Sequence, residues 1–254
     1  MKGLKYSWLL MSMVILLLVA CGGDEPAAEP TPSLGEVSVS GDGGDGGSDG
    51  PALKPTAEPE TSEESLGDTT LGEVLLVENF DAEDAWETFA NDEGTIKAGV
   101  VNGRYEINNA GNGYIWGLND ELHSDVVIEV TTEQLSTFED NGYGVMCRAD
   151  TSNNGDGYYF LVSGDGFVSI RRGEGDSVTA LSDWDENSLV NSGQSINQLK
   201  AVCVGSKLEL YVNGDLAAEA IDTTYTSGFA GFAAASAEEN AHIAFDNLTI
   251  REGR

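Results

Sequence analysis

Short apolar runs separated by turn-forming residues fill the chain from Glu73 to Arg254. Such runs, bounded by Gly, Asn, Asp and Ser, are typical of β-strands. We predict strands at Val74–Phe80, Ile96–Val101, Arg104–Ile107, Tyr114–Leu118, Val126–Thr132, Tyr143–Arg148, Tyr158–Ser163, Phe167–Arg172, Leu199–Val204, Lys207–Val212, Leu216–Ile221, Phe229–Ala235 and Ile243–Ile250. No stretch keeps the 3.6-residue period of a helix, so residues 73–254 are predicted to form an all-β, jelly-roll sandwich domain.

Alternation within the strands predicts which side chains face the core. The even-numbered residues of Leu208–Val212 are apolar and share one face, which we assign to the core. In Tyr143–Arg148 the odd-numbered residues face one way, and Met146 and Arg148 face the other. Hairpin turns are predicted at Asn102-Gly103, Asp165-Gly166 and Asn213-Gly214, where positive φ is wanted.

The run Tyr158–Val162 is apolar at every position and therefore leaves its orientation open. In one interpretation Tyr158 and Phe160 are presented to a second surface, as an aromatic face of a curved sandwich would need. In the other, the strand is central and covered on both sides.

The N-terminus has the pattern of a secretory signal. Lys2 and Lys5 precede an apolar run, Trp8–Ala20, which is shorter than the roughly 20 residues that a membrane-spanning helix needs. The residues Leu18–Cys21 resemble the lipobox of bacterial lipoproteins, and this resemblance implies that Cys21 is lipidated and becomes the mature N-terminus. An ordinary signal peptide with an incidental cysteine is the alternative.

The predicted organisation is therefore a signal peptide at residues 1–20, a linker at residues 21–72 and the β-domain at residues 73–254. The linker is rich in Pro, Glu, Gly, Ser and Asp, and this composition predicts disorder. The expected location is the cell membrane or outer membrane, with the lipid as anchor and the domain on the extracytoplasmic side.

The chain is strongly acidic, with a formal net charge of −32. Residues 73–254 contain 32 acidic and 9 basic residues, a net charge of −23. No basic stripe is present, which argues against nucleic acid as a partner and against docking of the domain on anionic lipids.

Two cysteines remain if Cys21 is lipidated. Cys147 and Cys203 both lie inside predicted strands, and an even number of thiols in an oxidising compartment favours a disulfide. Two buried free thiols that pack as small apolar groups are the alternative.

Several segments together resemble the concanavalin A-like lectin/glucanase superfamily, in particular its laminin-G-like and keto-disaccharide-hydrolase-like members. They are Asn141–Arg148, Tyr158–Phe160, Ser163–Phe167, Leu208–Gly214, Gly228–Phe232 and Ala244–Leu248. The resemblance covers about residues 75–251 and implies a β-sandwich. Because this sandwich carries lectins, glycosidases and adhesion modules, it leaves the activity open.

No catalytic residue is predicted. The Glu-x-Asp-x-x-Glu triplet of laminarinase-type glucanases begins at Glu174, but Thr179 stands in place of its last Glu. The segment Asp183–Glu186 has turn-rich neighbours and is predicted to be a solvated loop. In the alternative of a glycoside hydrolase, unrecognised carboxylates such as Glu129, Glu139 or Asp140 would line a sugar-binding face.

Aromatic rings beside planar polar groups suit a sugar. The candidate carbohydrate-binding residues are Trp116, Tyr143, Arg148, Tyr158 and Trp184, whereas Trp86 is predicted to pack in the core. Oxygen-bearing residues at Asp150, Asn154 and Asp156 suggest a calcium site, although a hairpin loop of turn-forming residues needs no ion.

The sequence therefore predicts a lipid-anchored, non-catalytic module that binds carbohydrate or another surface polymer. A glycoside hydrolase or a keto-disaccharide-hydrolase-like enzyme is the first alternative. An adhesion or structural protein with a protein partner is the second. No oligomeric state follows from the sequence.

Overall fold

The computed structural model describes residues 69–82, 86–150, 155–175, 177–236 and 238–254. The predicted signal peptide, Cys21 and nearly all of the predicted linker lie outside these residues. The strands are β1 (Leu71–Glu78), β2 (Phe89–Ala90), β3 (Ile96–Val101), β4 (Arg104–Asn109), β5 (Gly113–His123), β6 (Val126–Gln134), β7 (Asn141–Ala149), β8 (Gly157–Val162), β9 (Phe167–Glu174), β10 (Ser177–Glu186), β11 (Ile196–Val204), β12 (Lys207–Val212), β13 (Asp215–Ile221), β14 (Gly228–Ser236) and β15 (Ala241–Gly253). The described residues contain no helix long and apolar enough to cross a membrane.

The strands form two antiparallel sheets, which confirms the predicted all-β sandwich. The nine-stranded sheet has the order β13-β12-β11-β6-β15-β4-β3-β2, with β1 also paired to β15. The six-stranded sheet has the order β10-β9-β8-β7-β14-β5. Neighbours along each sheet are often distant in sequence, because the chain crosses repeatedly between the two layers.

The core lies between the sheets and follows the predicted alternation. Leu208, Leu210 and Val212 of β12 are fully buried in it, as are Tyr143 and Val145 of β7. Trp86 is also part of this core, as predicted, and stacks on Phe232 with ring centroids 4.9 Å apart.

A disulfide joins the two layers. Cys147 of β7 and Cys203 of β11 are bonded and fully buried, so the bridge connects the six-stranded sheet to the nine-stranded one. This confirms the predicted pairing and excludes the alternative of two free thiols.

Two strands, β2 and β10, are absent from the sequence prediction. The expected loop at Asp183–Glu186 is wrong, because these residues form the last part of β10. This edge strand alternates poorly between apolar and polar residues, and its register with β9 shifts twice, on either side of Ser182. An exposed, bulged edge strand therefore has the composition of a loop.

The first and last described strands bring both ends of the domain together. Thr70 and Arg254 exchange two backbone hydrogen bonds of 2.8 and 3.0 Å, and Leu71 pairs with Gly253. The Gly253 amide also donates to Asp125 O at 3.0 Å, at the start of β6. We refer to this end of the sandwich as the terminal end.

Candidate functional site

The outer face of the six-stranded sheet, which points away from the core, has a floor of small residues. Gly142 on β7 pairs with Ala235 on β14, and Gly144 pairs with Ala233 one step further along the same strands. Without large side chains at these central positions, space remains above the sheet.

Aromatic residues flank this floor from opposite edges of the sheet. On β5, Tyr114 lies beside Ala235. On β10, the register shift between Ser182 and Asp185 places Trp184 in a bulge, and its ring extends back over the sheet to Gly142. A bulge in an edge strand commonly re-aims a side chain in this way.

Between these residues lies a pocket of about 640 Å³. We refer to it as the aromatic pocket. It is lined by Asn112, Gly113, Tyr114, Asp140, Asn141, Gly142, Ser163, Asp165, Phe167, Trp184, Ala235 and Ser236. Trp184 keeps 37% of its surface exposed. The pocket therefore combines accessible aromatic surface with carboxylate, amide and hydroxyl groups.

Backbone hydrogen bonds hold one corner of the aromatic pocket in place. The carbonyl of Glu139 accepts hydrogen bonds from the amides of Asp165 (3.1 Å) and Asn141 (2.9 Å). The hydroxyl of Ser163 lies within hydrogen-bond distance of the same carbonyl and of Asp165 Oδ1. The loop before β7 and the hairpin between β8 and β9 are thus joined, and the aspartates of both loops lie on the pocket wall.

Asn141 completes this corner. Its Oδ1 accepts from the Gly164 amide at 3.2 Å, and its Nδ2 donates to Phe138 O at 2.7 Å. Nδ2 also lies 3.3 Å from Gln134 Oε1. Because both ends of this amide are used, Asn141 is a structural support of the pocket wall.

A second group of rings covers the outer face next to the aromatic pocket. Tyr114 and Tyr159 lie with centroids 5.2 Å apart. Burial raises the pKa of the Tyr114 hydroxyl and outweighs the lowering influence of Arg171, so the phenol stays neutral at physiological pH. The Arg171 guanidinium lies 5.7 Å from the centroid of the Trp184 ring. Its Nε is buried and has no hydrogen-bond partner among the described residues.

Two predicted sugar-binding tyrosines lie in the core, and their assignment is corrected. Tyr143 and Tyr158 are fully buried, so neither ring presents a face to a ligand. Burial raises the pKa of Tyr143 to about 12, even though a hydrogen bond from Asn197 has the opposite effect. The Tyr158 hydroxyl donates to Asp222 Oδ1 at 2.6 Å.

The register of β8 decides between the two interpretations of Tyr158–Val162. Tyr158 pairs with the disulfide-bonded Cys147, and Phe160 pairs with Val145, so both side chains point into the core. Tyr159 and Leu161 are on the outer face and are also buried. The interpretation of a central strand covered on both sides is confirmed, and the presentation of Tyr158 and Phe160 to a second surface is wrong.

Arg148 is likewise a buried structural residue and not a ligand contact. Its φ is +51° at a bulge where two residues of β7 oppose Ala230, so its side chain leaves the face shared by Met146. The guanidinium donates to Ser124 O (3.0 Å), Gly205 O (2.8 Å), Tyr225 O (2.8 Å) and Asp125 Oδ1 (2.8 Å). Arg148 therefore joins loops of both sheets at the terminal end.

The two remaining candidates, Trp116 and Trp184, are both on the outer face, and Trp184 lines the aromatic pocket. Sequence reasoning missed Tyr114, Phe167 and Asp165. Tyr114 could have been found, because it lies two residues before Trp116 and therefore on the same face of the predicted strand.

Of the candidate acids of the enzyme alternative, Glu129 is separated from Glu139 and Asp140. Glu129 lies between the core residues Ile128 and Val130, so it is on the outer face of the nine-stranded sheet, on the other side of the sandwich. Asp140 lines the aromatic pocket, and the carbonyl of Glu139 supports its corner.

The suggested calcium residues are described only in part. Asn154 lies outside the described residues. The Asp150 amide donates to Asp156 O at 3.1 Å, and Asp156 Oδ1 accepts from the Gly175 amide at 2.6 Å. Within the described ranges, no group of three or more His, Cys, Asp or Glu residues could hold a metal ion.

Comparisons with known proteins support the fold. No family model matches the chain, and neither does any curated protein sequence. Among solved structures, the carbohydrate-binding module CBM66 from Bacillus subtilis is 18% identical, with a TM-score of 0.51 over 67% of this chain and 97% of that chain. A Bacillus subtilis protein of unknown function with a galectin-like fold is 11% identical, with a TM-score of 0.53 over 73% of this chain and 99% of that chain. Similarities at such low identity establish the sandwich fold.

A glycoside hydrolase contains the same sandwich as one part of a longer chain. The GH43 protein BlXynB from Bacillus licheniformis is 14% identical, with a TM-score of 0.50 over 69% of this chain and 39% of that chain. The fold thus occurs both in a carbohydrate-binding module and in an enzyme, and the function of this chain must be argued from its own pocket.

Proposed function

We propose that this domain binds carbohydrate in the aromatic pocket. The observation that carries the proposal is the placement of Tyr114 and Trp184 on two sides of a floor formed by Gly142 and Ala235. A sugar ring has an apolar face of C–H groups and an edge of hydroxyls. Aromatic rings cover the first, and carboxylates, amides and hydroxyls bind the second.

The polar groups of the pocket wall suit this task. Asp140 and Asp165 are exposed on the wall and can accept hydrogen bonds from sugar hydroxyls. Their loops are held by the Glu139 carbonyl, so the acceptors are positioned before a ligand arrives. A wall positioned in advance lowers the ordering entropy that binding requires.

We further propose that the domain acts outside the cytoplasm as a tethered binding module. The lipobox-like segment ending at Cys21 supports a lipid anchor, and the acidic composition of residues 21–72 suits a linker that extends by self-repulsion. The disulfide of the domain suits an oxidising compartment. In this proposal the ligand is captured and not hydrolysed.

One observation favours hydrolysis as a second candidate function. Two carboxylates, Asp140 and Asp165, lie on the same pocket, as a glycosidase would require. A hydrolase would release reducing ends from a bound glycan, and Asp140→Asn or Asp165→Asn would abolish that release while leaving the fold intact.

Binding of the full-length protein to a panel of neutral, amino and anionic glycans tests the proposal. We expect at least one glycan to bind, and Trp184→Ala to weaken it about tenfold or more, as expected for the loss of a central aromatic contact. Phe89→Ala is the matched control, because Phe89 is exposed on the nine-stranded sheet, away from the pocket.

Two outcomes would contradict the proposal. One is a folded protein that binds no glycan of the panel. The other is glycan binding that Trp184→Ala leaves unchanged. Incubation of the bound glycans with the protein, followed by a reducing-end assay, separates capture from hydrolysis.

A further inference from the structure

We infer that the aromatic pocket selects its glycan by charge: it accepts neutral and amine-bearing sugars and rejects sugars that carry carboxylate or sulfate. This inference rests on the proposed function, because it concerns the ligand class of the same pocket.

The pocket wall carries charge of one sign. Among the described residues that line it, Asp140 and Asp165 are acidic, and none is Lys, Arg or His. An anionic sugar would therefore place its charge beside two carboxylates without a cation on the wall to balance it. An ammonium group would find two possible partners.

The surroundings strengthen this negative potential. Asp183, Asp185 and Glu186 flank Trp184 on the exposed edge strand, and Glu238 and Glu239 follow Ser236 on another side of the pocket. The domain as a whole has a net charge of −23, from 32 acidic and 9 basic residues. Because charges of one sign around a cleft reinforce one another, the potential inside is set by the sum.

Arg171 is a cation that contacts the pocket residue Trp184, and it does not offset the acids. Its guanidinium lies over the Trp184 ring, and Arg171 is not among the residues that line the pocket. One positive charge stands against two lining carboxylates and three more acids around Trp184. Its contact with the indole instead helps to hold the ring over Gly142.

The potential can be measured without knowing the ligand. The full-length protein is labelled with fluorotryptophan, and ¹⁹F NMR resolves Trp184 by comparison with Trp184→Phe. Paramagnetic relaxation of this resonance is then recorded with three nitroxides of similar size: cationic 4-amino-TEMPO, neutral 4-hydroxy-TEMPO and anionic 4-carboxy-TEMPO. The quantity compared is the ratio of relaxation by the cationic probe to relaxation by the anionic probe. A Phe89→Trp variant gives this ratio at an exposed position on the other sheet.

At low salt we expect the cationic probe to relax Trp184 roughly three- to tenfold more than the anionic probe, as a local potential of about 0.5–1 kT predicts for two probes of opposite charge. The ratio at Phe89→Trp should be at least about twofold smaller, since only the general charge of the domain acts there. Asp140→Asn with Asp165→Asn should lower the ratio at Trp184 towards that reference, while the acids around Trp184 preserve part of the difference. Equal ratios at both positions, or no effect of the two Asp→Asn changes, would overturn the inference.

A matched glycan series then tests the ligand class. Cellohexaose, the glucosamine hexamer of chitosan and the hexamer of β-1,4-linked glucuronate share a backbone and differ in charge. They are measured together with the glycan panel described above. Any anionic glycan whose binding depends on Trp184 and equals that of its neutral or amine-bearing counterpart would refute the charge selection and leave the proposed function standing.

Failure of the proposed carbohydrate binding can also be told apart from failure of the charge selection. If no glycan binds while the nitroxide ratios follow expectation, the negative potential of the pocket stands, but carbohydrate as its ligand is refuted, together with the glycan selection that rests on it. If neutral or amine-bearing glycans bind, anionic ones do not, and the ratios agree, both are supported.

Discussion

The indole ring of Trp184 packs against Gly142, so that a Cβ added to Gly142 would come within 3.2 Å of the ring. These two residues are on strands three positions apart in the six-stranded sheet, and the absence of a side chain at 142 leaves the ring room to lie over the sheet. The shape of the aromatic pocket depends on this contact.

We therefore predict that a side chain at position 142 displaces the ring. Gly142→Leu should shift the ¹⁹F resonance of Trp184 and weaken glycan binding about tenfold, with a loss of stability of about 1–3 kcal/mol from overpacking. The milder Gly142→Ala should give a smaller shift in the same direction. Unchanged affinity in a Gly142→Leu protein that keeps its fold would contradict this account of the pocket.

Reduction of the disulfide between Cys147 and Cys203 should destabilise the domain strongly. The two residues are 56 apart in sequence, and closing such a loop is worth about 4 kcal/mol in the chain-entropy model. Urea unfolding with and without reductant measures the difference. The paired change Cys147→Ala with Cys203→Ala should lose at least as much, because both sulfur atoms are buried. Equal midpoints for oxidised and fully reduced protein, confirmed by mass spectrometry, would refute the prediction.

Asp222 should make stability depend on pH in the acid range. Burial alone would raise the pKa of its carboxyl, but hydrogen bonds from Tyr158, Thr224 and Arg172 outweigh burial and lower the pKa to about 2. Because the folded-state pKa is below the unfolded value of 3.8, this stabilisation is complete above about pH 5 and is lost as the pH falls towards 2.

The size of this contribution is about 2 kcal/mol, since one pKa unit corresponds to about 1.4 kcal/mol. Urea unfolding between pH 6 and pH 2.5 should show a shallower acid decline for Asp222→Asn than for the unmodified protein. Asp215→Asn, at an exposed residue of β13, is the control and should keep the original slope. If both variants show the same slope as the original protein, the assignment to Asp222 is wrong.

Arg148 should be among the least replaceable residues of the domain. Its buried guanidinium donates to three backbone carbonyls and to Asp125. Arg148→Met removes this donor from the carbonyls, whereas Asp125 Oδ1 keeps its hydrogen bond from the Gly205 amide. We expect a loss of about 3–5 kcal/mol, because each buried acceptor that loses its donor costs about 1–3 kcal/mol. Arg148→Lys should recover only part, because an ammonium group cannot reach all four acceptors.

The matched control for Arg148 is Arg254→Met. Arg254 pairs with Glu252 at 2.8 Å, but its side chain is mostly exposed, and such pairs contribute at most about 1 kcal/mol. Chemical denaturation of both variants gives the comparison. Similar losses for the two would show that the hydrogen bonds of Arg148 do not stabilise the fold.

The sequence predicts the sandwich because most strands are half-buried, and half-burial imposes alternation on the chain. Leu208–Val212 alternates clearly and forms the core face of β12 as expected. The strand β10 is not predicted, because an edge strand has no neighbouring strand on one side and is open to solvent there. Its acidic residues are then tolerated in an extended backbone as well as in a loop.

The candidate site is harder to predict, because it depends on register and bulges. Tyr158 and Tyr159 are equivalent in an all-apolar run, and only pairing with Cys147 and Met146 directs the first inwards and the second outwards. A bulge turns the Arg148 side chain away from the face that alternation predicts, and no residue pattern predicts this bulge. Trp184 reaches Gly142 across the sheet, and this contact is not encoded at any fixed spacing along the chain.

The pairing of Thr70 with Arg254 also determines how the domain would carry mechanical load. This pair is at the terminal end, near Asp125, whereas the aromatic pocket begins at Asn141, at the opposite end of β7. The nine residues of β7 span about 30 Å. A pull between a ligand in the pocket and the chain before residue 70 would therefore run along the strands. The bonds between β1 and β15 would then be sheared together rather than opened one at a time, so the domain would resist unfolding best under load along this axis.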